Sequence, residues 1–131
     1  METRLLLADD NSATRSALGL VLEKRLEMHV VGEAASLLEL FSLAGQIQPD
    51  LLILEWELPG FQGEISLREL RALAPEMKVV ALSTRPEARE ASLAAGVDAF
   101  VSMAEQPEAF LQAVRKCCQK IRETAENQSK D

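Results

Sequence analysis

Five short apolar runs alternate with five amphipathic stretches along this chain, and that rhythm leaves few folds open. The runs, at 4–8, 29–34, 51–55, 78–83 and 99–102, are predicted strands. The stretches at 13–25, 37–46, 64–73, 86–95 and 108–124 are predicted helices. Leu18, Val21, Leu22 and Leu26 recur at helical spacing in the first helix. Leu37, Leu38, Phe41, Leu43 and Ala44 form a broad apolar face in the second, and Phe110, Val114, Cys117 and Ile121 mark one face of the last. Ser12 and Ser36 are placed to cap the first two helices, Pro86 suits a first helical turn, and Gly45 and Gly96 sit near helix ends. The strands are mostly apolar without alternation, as expected of a sheet covered on both faces. Five βα units of about 25 residues each predict an α/β, doubly wound, five-stranded parallel sheet of flavodoxin-like order 2-1-3-4-5. Right-handed crossovers put every strand's C-terminal end on one edge, where this class binds ligands.

Composition narrows the setting. A chain of 131 residues with 47% hydrophobic content is one domain with an ordinary core. The domain is expected over 1–124, with 125–131 as a polar tail or the start of a linker. No apolar stretch approaches the roughly 20 residues of a membrane span, and the first four residues lack a signal-peptide pattern. A cytoplasmic protein with no membrane contact is expected. A net charge of −7 argues against direct nucleic-acid binding by this domain. Cys117 and Cys118 are adjacent on a helix and point about 100° apart, which disfavours a disulfide between them. With His29 the only histidine, structural zinc and Cys/His catalysis are set aside.

The strand ends gather acids. The first strand ends in Asp9 and Asp10, the third in Glu55 with Glu57 two residues on, and the fourth in Ser83 followed by Thr84 and Arg85. The fifth carries Phe100, with Met103 in the loop after it. Two carboxylates about 4 Å apart repel by roughly 4 kcal/mol at an effective dielectric near 20, equivalent to raising one carboxyl's pKa by about three. The cluster must bind a cation, hold a proton, or recruit a basic side chain. Arg85 is the cation nearest in sequence, and it is expected to fold over the pocket.

These residues sit in motifs that resemble the receiver domain of two-component response regulators: Leu-Leu-Leu-Ala-Asp-Asp (5–10), Pro-Asp-Leu-Leu-Ile-Leu-Glu (49–55), Leu-Pro-Gly (58–60), Val-Val-Ala-Leu-Ser (79–83) and Ala-Gly-Val-Asp-Ala-Phe (95–100). The resemblance spans about 4–122 and is nearest in flavour to receivers that precede helix-turn-helix output domains. It implies an acid pair for Mg²⁺ at Asp9 and Asp10, a phosphoacceptor position at Glu55, a phosphoryl-binding hydroxyl at Ser83, a switch aromatic at Phe100 and a lysine position at Met103. For Mg²⁺ it implies Asp10 and Glu55 as ligands, Asp9 through water, and a backbone carbonyl at Glu57.

Two key positions depart from the family pattern. Glu55 replaces an aspartate and moves the carboxylate by up to about 1.5 Å. Phosphoryl transfer rests on positioning and charge neutralisation, and a misplacement of about 1 Å can cost ~100-fold. Met103 replaces a lysine and supplies no charge. Thr84 is a softer departure, since a β-branched residue there crowds the phosphoryl position. The bland readings stand beside these: Asp9 and Asp10 as helix-start acids, Glu55 as a solvated strand end or a partial mimic of phospho-aspartate, Ser83 as a strand end, Met103 as packing and Phe100 as core.

The sequence therefore predicts a non-enzymatic signalling module, independent of phosphorylation. It would act through protein contacts with an output domain, a kinase, another regulator or a second copy. The alternative is an active, Mg²⁺-dependent phosphoacceptor. A small α/β enzyme ranks behind both: Asp9 and Asp10 would repel a flavin phosphate, and the chain lacks the Asp-x-Asp of aspartate-nucleophile phosphatases.

Overall fold

Successive residues of a strand point to opposite faces, so a run apolar at every position must be covered twice. The computed structural model, which describes residues 2–129, covers it in that way. Its elements are β1 (Thr3–Ala8), α1 (Ser12–Arg25), β2 (Met28–Ala34), α2 (Leu37–Ile47), β3 (Leu51–Glu55), α3 (Glu64–Leu73), β4 (Lys78–Ser83), α4 (Ala88–Ala95), β5 (Ala99–Ser102) and α5 (Pro107–Ser129). All strand pairs are parallel, in the order β2-β1-β3-β4-β5.

The sheet divides the core in two. Leu6, Ala8, Leu52, Leu54, Val79 and Ala81 face Leu40 and Ala44 of α2, Leu67 and Leu70 of α3, and Ala88 of α4. Their neighbours Leu5, Leu7, Leu51, Ile53, Val80 and Leu82 face Leu22 of α1 and Leu111, Val114 and Cys117 of α5. Burial of this kind contributes about 2 kcal/mol per large aliphatic side chain. Burial also pushes the Cys117 thiol up to about 11, so it stays protonated and packs as a small apolar group.

Several local expectations shift. Asn11, not Ser12, caps α1: its side chain accepts from the Thr14 N–H, and Ser12 becomes the first helical residue. Ser36 caps α2 as expected, accepting from Glu39 N. Gly45 lies inside α2, and Gln48 takes the left-handed exit at φ 53°. The Gln48 amide can afford this because its Nε2 donates to Leu73 O at 2.7 Å and to Gly45 O at 3.0 Å. Gly96 ends α4 at φ 109°. Pro86 falls in the turn before α4, where its carbonyl accepts from Arg89 N. Leu38 is 81% exposed, and Leu40 takes its place in the core. Val21 is also exposed, while Leu22 is fully buried. α5 continues to Ser129 through residues that favour helix, with little apolar surface to bury. Of the tail set apart at 125–131, Lys130 and Asp131 lie outside the described residues, as does Met1. No helix among the described residues is long and apolar enough to cross a membrane.

Candidate functional site

Strand order alone sets β1, β3 and β4 side by side, and three local devices aim their end residues. Asp9 N donates to Ala34 O at 3.0 Å, which ties the end of β1 to β2. Asn11 N donates to Asp9 Oδ1 at 2.8 Å, which turns the largely buried Asp9 carboxylate into the helix start. After β3, Trp56 N donates to Leu82 O at 2.8 Å and Leu58 N to Glu55 O at 3.0 Å, while Leu58 is buried beneath the turn. Gly60 then takes φ +88°, and a Cβ there would meet Leu37 Cβ at 3.2 Å. The β3–α3 loop is thereby held against α2, and Glu55 and Glu57 project at the sheet edge.

The result is a pocket of about 240 Å³ lined by Asp9, Asp10, Glu55, Glu57, Ser83, Thr84 and Met103, among others. Four of its residues are acids and none is Lys or Arg. Asp9, Asp10 and Glu55 each offer one carboxylate oxygen, and these oxygens lie within 4.8 Å of one another. Glu55 Oε2 accepts from the Asp10 N–H at 3.1 Å. The Glu55 pKa is pushed up to about 7, first by burial and then by its side-chain contact with Asp10 and the charges of Asp9 and Asp10; the Asp10 N–H pulls the other way. Repulsion was expected to dominate, whereas loss of solvent is the larger cause. Three converging carboxylates are hard oxygen donors that suit a hard divalent cation such as Mg²⁺.

The expected substitute cation does not arrive. Arg85 Nε donates to Glu87 Oε1 at 3.0 Å and its side chain stays exposed. Glu87 lies two residues on in the same turn, so the pair forms in water, whereas entry into the pocket would strip the guanidinium of solvent. Met103 is 43% exposed at the rim, where it also borders Leu18, Val21 and Phe110; its amide donates to Ser83 O at 2.8 Å. Phe100 is buried among the residues under α4. The Arg89 guanidinium lies 5.1 Å from its ring centre and also pairs with Glu105 at 3.0 Å.

Ser83 is buried, and its hydroxyl donates to Glu57 Oε1 at 2.7 Å while accepting from Arg85 N at 2.9 Å. The hydroxyl that the resemblance assigns to phosphoryl binding is thus engaged by Glu57. This pairing was missed, although Glu57 was named in the acidic pocket; Glu57 lies in the turn closed by Leu58 N and Glu55 O, and strand alternation does not carry into that turn. Arg15 was missed as well. Its Nη1 donates to Asp9 O at 2.5 Å and its Nε to Glu33 Oε1 at 3.0 Å, so it braces the backbone beside the acids without entering the pocket. Its place four residues after Asn11, on the helix following the acid pair, was the sign to read.

Comparison with known proteins agrees with this geometry. The family model for the response regulator receiver domain matches residues 5–115. The chain is 28% identical over 118 residues to response regulator protein VraR from Staphylococcus aureus, covering 88% of this chain and 56% of VraR. It therefore spans little more than half the length of such curated relatives. A LuxR-family DNA-binding response regulator structure from Staphylococcus aureus superposes with TM-score 0.77 at 26% identity, covering 88% of this chain and 98% of that one. The receiver domain of AraT from Geobacillus stearothermophilus gives TM-score 0.81 at 22% identity, covering 95% and 99%, a likeness that speaks to the fold. By the matched residues, the acid-edged parallel sheet and the strand order, the chain belongs to the response regulator receiver-domain family.

Proposed function

We propose that this receiver domain signals without phosphoryl transfer, as a pseudo-receiver that acts through protein–protein contacts. The observation that carries the reading is the lining of the pocket: four carboxylates, a methionine at the lysine position, and no cation. Phosphoryl transfer to a carboxylate turns its single negative charge into about two, and the transfer depends on positive charge placed around it. Glu55 adds a second obstacle, since its carboxylate is already folded onto the Asp10 N–H inside the acid cluster. Asp9, Asp10 and Glu55 would hold Mg²⁺ when it binds, and the ion would supply charge neutralisation there.

The working surface in this reading is the α4–β5–α5 face or the α1–α5 face. The partners are an output domain, a kinase, another regulator or a second copy of the chain, with the domain in the cytoplasm and not itself on nucleic acid. The net charge of −7 supports the last point. The likeness to LuxR-family regulators supports a transcriptional output domain as the natural partner.

The surviving acid triad favours a second reading, an active Mg²⁺-dependent acceptor at Glu55. Incubation with acetyl phosphate and Mg²⁺ followed by intact mass separates the two. The pseudo-receiver stays at its unmodified mass, and a stoichiometric gain of one phosphoryl group refutes it.

A further inference from the structure

Ser83 joins three loops. Its hydroxyl donates to Glu57 on the β3–α3 loop at 2.7 Å, and the same oxygen accepts from Arg85 N on the β4–α4 loop at 2.9 Å. Its carbonyl accepts from Met103 N on the β5–α5 loop at 2.8 Å. The side chain is 3% exposed, so a Ser83 hydroxyl without a partner would be a buried, unsatisfied donor. Glu57 is exposed, so its carboxylate reaches Ser83 from the wet rim of a pocket that holds three other acids, where solvent screens their repulsion. A hydroxyl-to-carboxylate bond at this length is charge-assisted and among the stronger kinds. The bond spans the gap between the loop after β3 and the loop that leads into α4.

We propose that Glu57 is a tethered anionic ligand for Ser83: its carboxylate takes the hydroxyl's hydrogen bond from within the chain and so latches the β4–α4 and β5–α5 loops in one arrangement. Glu57 is a positioning residue here, acting on α4 and β5 through Ser83. Glu55 and Glu57 then divide the work that one strand-end group would otherwise do. Glu55 belongs to the Asp9–Asp10 cluster and accepts from the Asp10 amide, while Glu57 serves the hydroxyl. The latch regulates the same site and rests on the reading that the domain works without phosphoryl transfer.

Amide hydrogen exchange on the full chain, with no phosphoryl donor present, tests it. Glu57→Ala removes the acceptor, and the Arg85 and Met103 amides are expected to exchange about 10-fold faster while core-strand amides keep their rates. Glu57→Gln keeps an acceptor oxygen without the charge, and it is expected to exchange at rates between those of wild type and Glu57→Ala. At the Met103 amide, whose acceptor is the Ser83 carbonyl, Ser83→Ala is expected to match Glu57→Ala and the double variant to add nothing further, whereas at Arg85 the serine variant also removes that amide's own acceptor and exchanges faster still. Unchanged rates in Glu57→Ala overturn the latch. So does a Glu57→Gln that exchanges as fast as Glu57→Ala, a uniform rise across all amides, or a double variant that is additive at Met103. Failure here leaves the mass test of phosphoryl transfer untouched, and uptake of a phosphoryl group by a chain that passes these tests would refute the earlier reading alone.

Discussion

Replacing Glu55 by glutamine isolates the charge at the centre of the site. The amide oxygen can still accept from Asp10 N, so the 3.1 Å contact has a successor. In the folded chain the Glu55 carboxyl keeps its proton up to about pH 7, against 4.5 for the ordinary group. Between those values the folded state binds more protons than the unfolded one, so stability falls as pH rises through that window and stays lower above it. A shift from 4.5 to about 7 corresponds to at most about 3.4 kcal/mol at 1.36 kcal/mol per pH unit. The side chain is only partly buried, and solvent screening reduces this to about 1–2 kcal/mol. Glu55→Gln should therefore match wild type near pH ~4.5 and exceed it by about 1–2 kcal/mol above pH ~7, a urea midpoint higher by roughly 1 M. Urea denaturation of both proteins across that range, in chelator, measures it. Added Mg²⁺ should narrow the gap, because it neutralises the charge that only wild type carries. A stability difference that is flat with pH, or a glutamine variant that is less stable above pH ~7, would refute the reasoning.

Other consequences follow from single contacts. Asn11→Ala should destabilise the chain by about 1 kcal/mol through loss of the α1 cap, whereas Ser12→Ala should change it by less than about 0.5 kcal/mol, both read by thermal or urea unfolding. Arg89→Ala removes the cation over Phe100 and its tie to Glu105; a loss of about 0.5–1.5 kcal/mol is expected in the same assay, with Glu105→Gln losing less. Glu55→Asp combined with Met103→Lys should take up a phosphoryl group from acetyl phosphate and Mg²⁺ at least ~10-fold faster than either single variant by intact mass, because position and charge are then both supplied.

The fold was legible because its signal is periodic and repeated. Continuous apolar runs such as Leu51, Leu52, Ile53 and Leu54 require cover on both faces, and the helices between them supply it. Strand ends followed the same logic, so Asp9, Asp10, Glu55, Glu57, Ser83 and Met103 meet as expected. Helix edges were less legible, since Asn11 and Ser12 are both good caps and only the backbone turn at Asp9 selects between them. Leu38 and Leu40 lie two positions apart, and the width of the apolar face of α2 hid which one enters the core. Side-chain pairing within the site was the least legible part. Whether Arg85 turns toward the pocket or toward Glu87, and whether Glu55 or Glu57 meets Ser83, depends on competing hydrogen bonds and desolvation that residue spacing does not encode.

The central claim is that the signalling face stays in one arrangement whether or not a phosphoryl donor is present. A two-dimensional amide spectrum of the labelled chain in saturating Mg²⁺, recorded before and after acetyl phosphate, tests it most directly. The account predicts that Mg²⁺ moves resonances around Asp9, Asp10 and Glu55, and that the donor then leaves Ser83, Thr84, Phe100 and the amides of α4 where they were. A concerted shift of those resonances on adding the donor, reversed as it is consumed, would contradict it.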